Sequence, residues 1–369
     1  MKRYDFDTDT TTPMFNVWGP KRDAQPGFMS VILDHGENIG DIEIDSLLRV
    51  FRTGALYEAR RMVIGQGRGA GLKEEKVLVK IAHNNAGEQI KTEAMVLAKL
   101  AQERQHPMLP VLLPPYQFSD GKQRPYGKTN IQGETKYYIV YQYAEGTFLR
   151  NMLNRNPQPW YQHAAWMTIQ MADAIHFIHV KAQHLVLNLS PDGIMVRIDK
   201  DGIPRPLLVD LGTLADPNTL RADSVVPFIH PAYAAPELLE GAASGPFGAQ
   251  SDVYGLGTVL YEMLAGRPAY PFKLREPEDI HASVRKDQPL PMNRSDLAQD
   301  IGSIVSQAID KAPARRYTDV RVLAKELRVK FGEVPPERPK RRFPRRFVAI
   351  VIALIFFAVA WTAIMVFLR

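Results

Sequence analysis

The chain contains no cysteine. That excludes disulfide staples, thiolate zinc sites and a cysteine nucleophile, and it accords with a reducing compartment. A leader pattern is also missing, because the N-terminal MKRYDFDTDT has basic residues with no apolar run behind them. A basic folded surface is missing as well, despite first appearances. The 369 residues carry 46 Lys+Arg against 40 Asp+Glu, a net charge of +6. The resulting pI of 9.3 invites a nucleic-acid reading. Yet Arg338, Lys340, Arg341, Arg342, Arg345 and Arg346 crowd into one short stretch. Without residues 338–369 the chain has 39 Lys+Arg against 40 Asp+Glu, so no nucleic-acid partner is expected.

Directly behind the basic stretch lies the longest apolar run, the 22 uncharged residues from Phe347 to Leu368. A helix of that length spans roughly 33 Å at 1.5 Å per residue, about the thickness of a bilayer's hydrocarbon core. The run predicts one C-terminal transmembrane helix over 347–368. Basic residues on its N-terminal side then predict a single-pass membrane protein, with residues 1–346 cytoplasmic and Arg369 on the far side.

The remaining chain divides by pattern. Residues 1–38 mix Asp, Thr and Pro without apolar periodicity and read as a disordered segment. Residues 332–346 read as an extended Pro/Arg-rich juxtamembrane linker. Between them, 39–331 starts with strand-like alternation, as in 41–45, 76–82 and 136–143, and continues from about residue 160 with helical periods. This predicts an α+β arrangement of two lobes, a small β-rich lobe over 39–143 and a large α-helical lobe over 144–331. Gly65, Gly67, Gly69 and Gly71 read as a flexible hairpin loop, since no Lys-Ser/Thr comes after them. His176 and His179, without carboxylates in a metal-type pattern, read as packing residues.

The motifs in 39–331 resemble those of the eukaryotic-type protein kinase superfamily, and the wording 36–44 is most similar to bacterial membrane-anchored Ser/Thr kinases. Leu208-Val209-Asp210-Leu211-Gly212 resembles the metal-binding Asp-Phe-Gly segment, and Ala235-Pro236-Glu237 the close of the activation segment. The stretch that begins Ser251-Asp252 is close to the long helix of the large lobe. Arg316 stands where the family places the arginine that pairs with the glutamate matching Glu237. The resemblance implies that Lys80 is the phosphate-contacting lysine, Glu93 its helical partner and Asp210 the metal ligand, with ATP and Mg²⁺ as the implied cofactors.

The sequence also lacks parts of that pattern. The family's His-Arg-Asp-Leu-Lys-Pro-x-Asn is replaced by Val186-Leu187-Asn188-Leu189-Ser190-Pro191-Asp192-Gly193. Asn188 stands in the position of the proton-accepting aspartate, and an amide has essentially no basicity at neutral pH. Ser190 and Gly193 replace the phosphate-steadying lysine and the second metal ligand. Arg49 and Phe51 stand where the first two glycines of the phosphate loop belong, leaving Gly54 alone, and Leu78 and the gatekeeper Tyr141 narrow the adenine slot. The leading expectation is therefore a membrane-anchored pseudokinase with weak or no ATP binding. It would act as a scaffold or allosteric regulator of a protein partner, either a true kinase or a membrane machine. The alternative is an active Ser/Thr kinase with an atypical catalytic loop, in which Asp192 is the candidate substitute for the missing base.

Overall fold

Period-two alternation of apolar residues drives the first part of the chain into strands whose two faces are both covered. The computed structural model describes residues 33–64, 72–113, 116–117, 122–240, 247–292 and 299–332. Six strands form one antiparallel sheet in the order β1-β2-β3-β4-β8-β7. They are β1 (Asn38–Ile39), β2 (Ile42–Val50), β3 (Gly54–Ile64), β4 (Leu72–Ala82), β7 (Gly127–Ile131) and β8 (Glu134–Gln142). A small pair, β5 (Tyr116–Gln117) and β6 (Gln123–Arg124), stands apart from it. One face of the sheet gathers Ile42, Ile44, Tyr57, Val77, Val79 and Val140 into its own cluster. The other face, with Leu56, Leu78, Ile139 and Tyr141, joins the main core.

Helix α1 (Gly87–Glu103) lies against that second face. Its Ile90, Ala94 and Leu97 repeat at helical spacing, and Glu93 falls on the same buried stripe. Alternation along β4 puts Lys80 on the face of Leu78, toward the helix. Two independent periodicities thus aim a cation and a carboxylate at each other.

The second part is helical: α2 (Leu149–Arg155), α3 (Tyr161–Lys181), α4 (Ala249–Ala265), α5 (Pro277–Lys286), α6 (Gln299–Ala308) and α7 (Val320–Phe331). Every residue of α4 from Ser251 to Leu264 is buried, as expected of a helix apolar on nearly all sides at the centre of a lobe. A three-stranded sheet, β11-β10-β9, crosses the lobe's upper side. It comprises β9 (Thr147–Phe148), β10 (Ile194–Ile198) and β11 (Pro204–Leu208). The β10–β11 hairpin pairs Ile194 with Leu208 and so brings the loop before β10 beside the loop after β11. The Val209 amide donates to the Gly193 carbonyl at 2.9 Å.

The two-lobed α+β expectation therefore stands, and the expected C-terminal span is corrected. Among the described residues no helix is long and apolar enough to cross a membrane. The linker 333–346 and the apolar run 347–368 lie outside the described residues, and the run belongs to the separate unit Glu337–Arg369. The membrane anchor, and the single-pass topology derived from it, are accordingly not carried further. Residues 65–71 and 1–32 also lie outside the described residues. Leu33 is buried, with its amide donating to the Tyr57 hydroxyl at 3.2 Å, so ordered packing begins before residue 39.

Gly54, expected as a remnant of the phosphate loop, has a packing reason of its own. It pairs with Ala82, and a Cβ there would sit 2.1 Å from the carbonyl oxygen of Ile81. Gly54→Ala is expected to destabilise the fold by about 1–3 kcal/mol through overpacking, measured by denaturant unfolding.

Candidate active site

Lys80 is fully enclosed, and its ammonium is shared by two carboxylates. Nζ donates to Glu93 Oε2 at 2.7 Å and to Asp210 Oδ1 at 2.9 Å. The other Glu93 oxygen accepts the Tyr141 hydroxyl at 2.9 Å and the Leu211 amide at 3.3 Å. Asp210 Oδ2 accepts from the Asn188 side-chain amide at 2.8 Å, and the Asn188 oxygen accepts the His230 backbone amide at 3.0 Å. Lys80, Glu93, Asp210 and Asn188, drawn from both lobes, thus form one connected cluster.

Its electrostatics follow from burial and an excess of carboxylate. Burial works against the Lys80 ammonium, but Asp210 and Glu93 outweigh it and its pKa is raised. Burial also raises the Glu93 carboxyl, and the single lysine does not fully offset the effect with Asp210 nearby. One cation thus serves two acids.

The loop 186–193 is shaped by Asp252. Its carboxylate, on α4, accepts the amides of Val186 at 2.8 Å and Leu187 at 2.6 Å, and its Oδ2 lies 2.6 Å from His179 Nε2. That arrangement holds Leu187 at φ 64°, in the left-handed region that ordinary side chains avoid. His179 therefore has a structural partner, in line with its reading as a packing residue. Among the described residues no group of three or more His, Asp or Glu side chains could hold a metal.

Asp192 is paired with two guanidiniums. Its oxygens meet Arg49 Nη1 at 3.4 Å and Arg150 Nε at 3.2 Å. Burial alone would raise this carboxyl, but the Arg150 and Arg49 guanidiniums overcome burial and hold it below the usual range. The expected substitute base is thus a buried carboxylate engaged by two guanidiniums. Arg150 also contacts Glu262 and the Tyr233 hydroxyl, so Asp192 belongs to a buried network beneath the site. Burial does not leave His230 a useful base, since its pKa is pushed down to about 3. At Gly193 a Cβ would meet Asp210 Cβ at 2.8 Å, so the backbone approach that puts these loops together also excludes a side chain there.

Two features of the site escaped the sequence. Tyr141 was expected only to narrow a slot, whereas its hydroxyl fixes Glu93. The signal was available, because Leu78 pairs with Tyr141 across β4 and β8, placing the ring on Lys80's face. Thr53 was not singled out, and its hydroxyl donates to Asp210 Oδ1 at 3.3 Å. No local pattern announces that contact across 157 residues.

The expectation of a catalytically inactive chain is corrected by this geometry. The Lys80–Glu93 pair is intact at 2.7 Å, and Asp210 closes on the same ammonium. The substitution at Asn188 remains a fact of the sequence.

Comparison with known proteins agrees with the geometry. The protein kinase domain family matches residues 73–328. The serine/threonine-protein kinase PknB of Mycobacterium tuberculosis is 31% identical over 214 residues, covering 55% of this chain and 32% of the relative. The PknB of Mycobacterium leprae is 32% identical over 215 residues, with the same coverage of 55% and 32%. That of Mycolicibacterium smegmatis is 28% identical over 209 residues, again 55% of this chain and 32% of the relative. The chain thus spans about a third of the length of these curated relatives. The family match extends over well more than half of the chain and brings with it a general capacity for a nucleotide: the chain belongs to the protein kinase domain family.

Proposed function

We propose that the chain is an active Ser/Thr protein kinase with an atypical catalytic loop, transferring the γ-phosphoryl group of ATP to a hydroxyl of a protein substrate. The observation that supports it is the buried Lys80–Glu93–Asp210 cluster. Burying one ammonium with two carboxylates is costly and is a weak source of stability. Its retention is explained by a task for the lysine, the binding of phosphate oxygens, with Glu93 orienting it through Oε2.

In the transfer the bond between the γ-phosphorus and the bridging oxygen breaks, and a bond from the substrate oxygen to that phosphorus forms. The hydroxyl proton leaves to solvent. The transition state is loose in most analyses, so little basicity is demanded of the protein and positioning contributes most. Asn188 fits this division of labour. Its amide group is fixed at both ends, by Asp210 and the His230 amide, and can orient a hydroxyl without taking its proton. Asp210 fits a single Mg²⁺, which usually takes one or two carboxylates and completes its shell with phosphates and water. When bound, the metal would neutralise charge on the phosphates. The excluded side chain at Gly193 means the family's second metal ligand is missing.

The test is transfer of labelled phosphate from ATP to a generic protein substrate, with Asp210→Asn as the inactive control. Asn188→Asp restores a base where a hydroxyl would lie and is expected to raise the rate by about 10²-fold or more. Label transfer by neither the natural chain nor Asn188→Asp would overturn the reading.

A further inference from the structure

The β2–β3 turn, residues 51–53, closes over the Lys80 cluster instead of arching away from it. The Phe51 ring lies 5.1 Å from Lys80 Nζ, and its edge meets Phe148 at 6.2 Å between centroids. Thr53, fully buried, reaches Asp210. Its seat exists because residue 212 is glycine, where a Cβ would stand 2.6 Å from the Thr53 side chain. Flanking residues clamp the turn to the large lobe. Arg49 donates to Asn151 Oδ1 at 2.6 Å, reaches Asp192 and stacks over Phe148 at 4.5 Å. Arg52 donates to the Pro227 carbonyl.

We infer that this turn is a self-made plug, in which Phe51 and Thr53 occupy the place of phosphate at Lys80 and Asp210 and must lift before ATP can enter. The inference rests on the proposed nucleotide-dependent function and adds a regulatory device to it. A ring against the lysine and a hydroxyl on the metal-ligand carboxylate use the same two groups that phosphate and metal would use. Closed and open states therefore compete with nucleotide, and apparent affinity is reduced by the fraction of chains that are open. Asn151 is the clamp's accessible partner. It lies on α2, away from the Lys80 cluster, and is only partly buried.

The absence of cysteine supplies a probe. Thr53→Cys puts a single thiol of similar size under the plug, and its reaction rate with a disulfide reagent reports opening. The thiol is expected to react slowly alone, several-fold faster with Asn151→Ala added, and faster again with saturating ATP. In parallel, Asn151→Ala and Thr53→Val, each removing one hydrogen bond of the closed state, are expected to tighten ATP binding about threefold to tenfold by calorimetry. ATP that binds while leaving the thiol's reactivity unchanged, or binds no tighter to either variant, would overturn the plug alone. A thiol released by Asn151→Ala in a chain that binds no ATP at millimolar concentration would overturn both the competition with nucleotide and the proposed function.

Discussion

Lys80→Met is expected to reduce phosphoryl transfer to background and to lower folding stability by about 3–5 kcal/mol at neutral pH. The activity loss follows from removing the only ammonium at the cluster among the described residues. The stability loss has a different origin. Lys80 is fully buried with Glu93 and almost fully with Asp210, and methionine of similar length leaves both carboxylates enclosed without a counter-charge. The cost is that of two uncompensated charges and not the net worth of the ion pairs, which is small.

The pH dependence of that variant separates the two origins. Burial already raises Glu93 in the natural chain, so its folded-state pKa lies above the unfolded one. An acid shifted that way binds its proton more readily when folded. Its contribution favours the fold at low pH and is lost as pH rises through the folded value. Without Lys80 the shift is larger, because an attraction that lowers it is gone. The stability gap between Lys80→Met and the natural chain should therefore narrow as pH falls from 7 toward 5, measured by denaturant unfolding at each pH. A gap independent of pH would mean that the loss came from packing.

The second large effect is expected at Arg316. Its guanidinium forms a bidentate pair with Glu237, 2.8 Å on each side, and donates to the carbonyls of Asp310, Gln250 and Lys311 at 2.6, 2.9 and 3.0 Å. It also lies 4.8 Å from the Tyr254 ring centroid. Arg316→Ala should cost about 3–5 kcal/mol, because it strands the buried Glu237 carboxylate and three carbonyls together. Arg316→Lys should recover little, since an ammonium cannot reproduce a planar fork that meets a carboxylate and several carbonyls at once. Both are read by thermal or denaturant unfolding. Under the proposed function, with Glu237 at the close of the activation segment, the Lys variant should also lose activity beyond its loss of stability.

Much of this was legible in the chain. Strand and helix periods predicted the lobes, and the motif around Asp210, the Ala235-Pro236-Glu237 stretch and Arg316 carried the resemblance that pointed to Lys80 and Glu93 as partners. The missing base at Asn188 was equally plain. What misled was the step from lost residues to lost function. Counting substitutions in 186–193 said nothing about whether Lys80, Glu93 and Asp210 still met, and they do. Asp192 shows the same limit. Its neighbours in sequence suggested a substitute base, and only the structure shows its two guanidinium partners, Arg49 and Arg150, distant in the chain.

The sequence by itself determined the two-lobed order of strands before helices and the absence of thiols, and its motifs carried the resemblance that the family match then bore out. These come from local periodicity and from residue types at fixed spacing, which need no knowledge of distant contacts. Only the tertiary structure decided that the Lys80 cluster is assembled, that Tyr141 fixes Glu93, and that Phe51 and Thr53 close over the site. Each of those depends on which side chains from far apart in the chain share one buried volume. Sequence spacing does not encode that; the packing of one lobe against the other does.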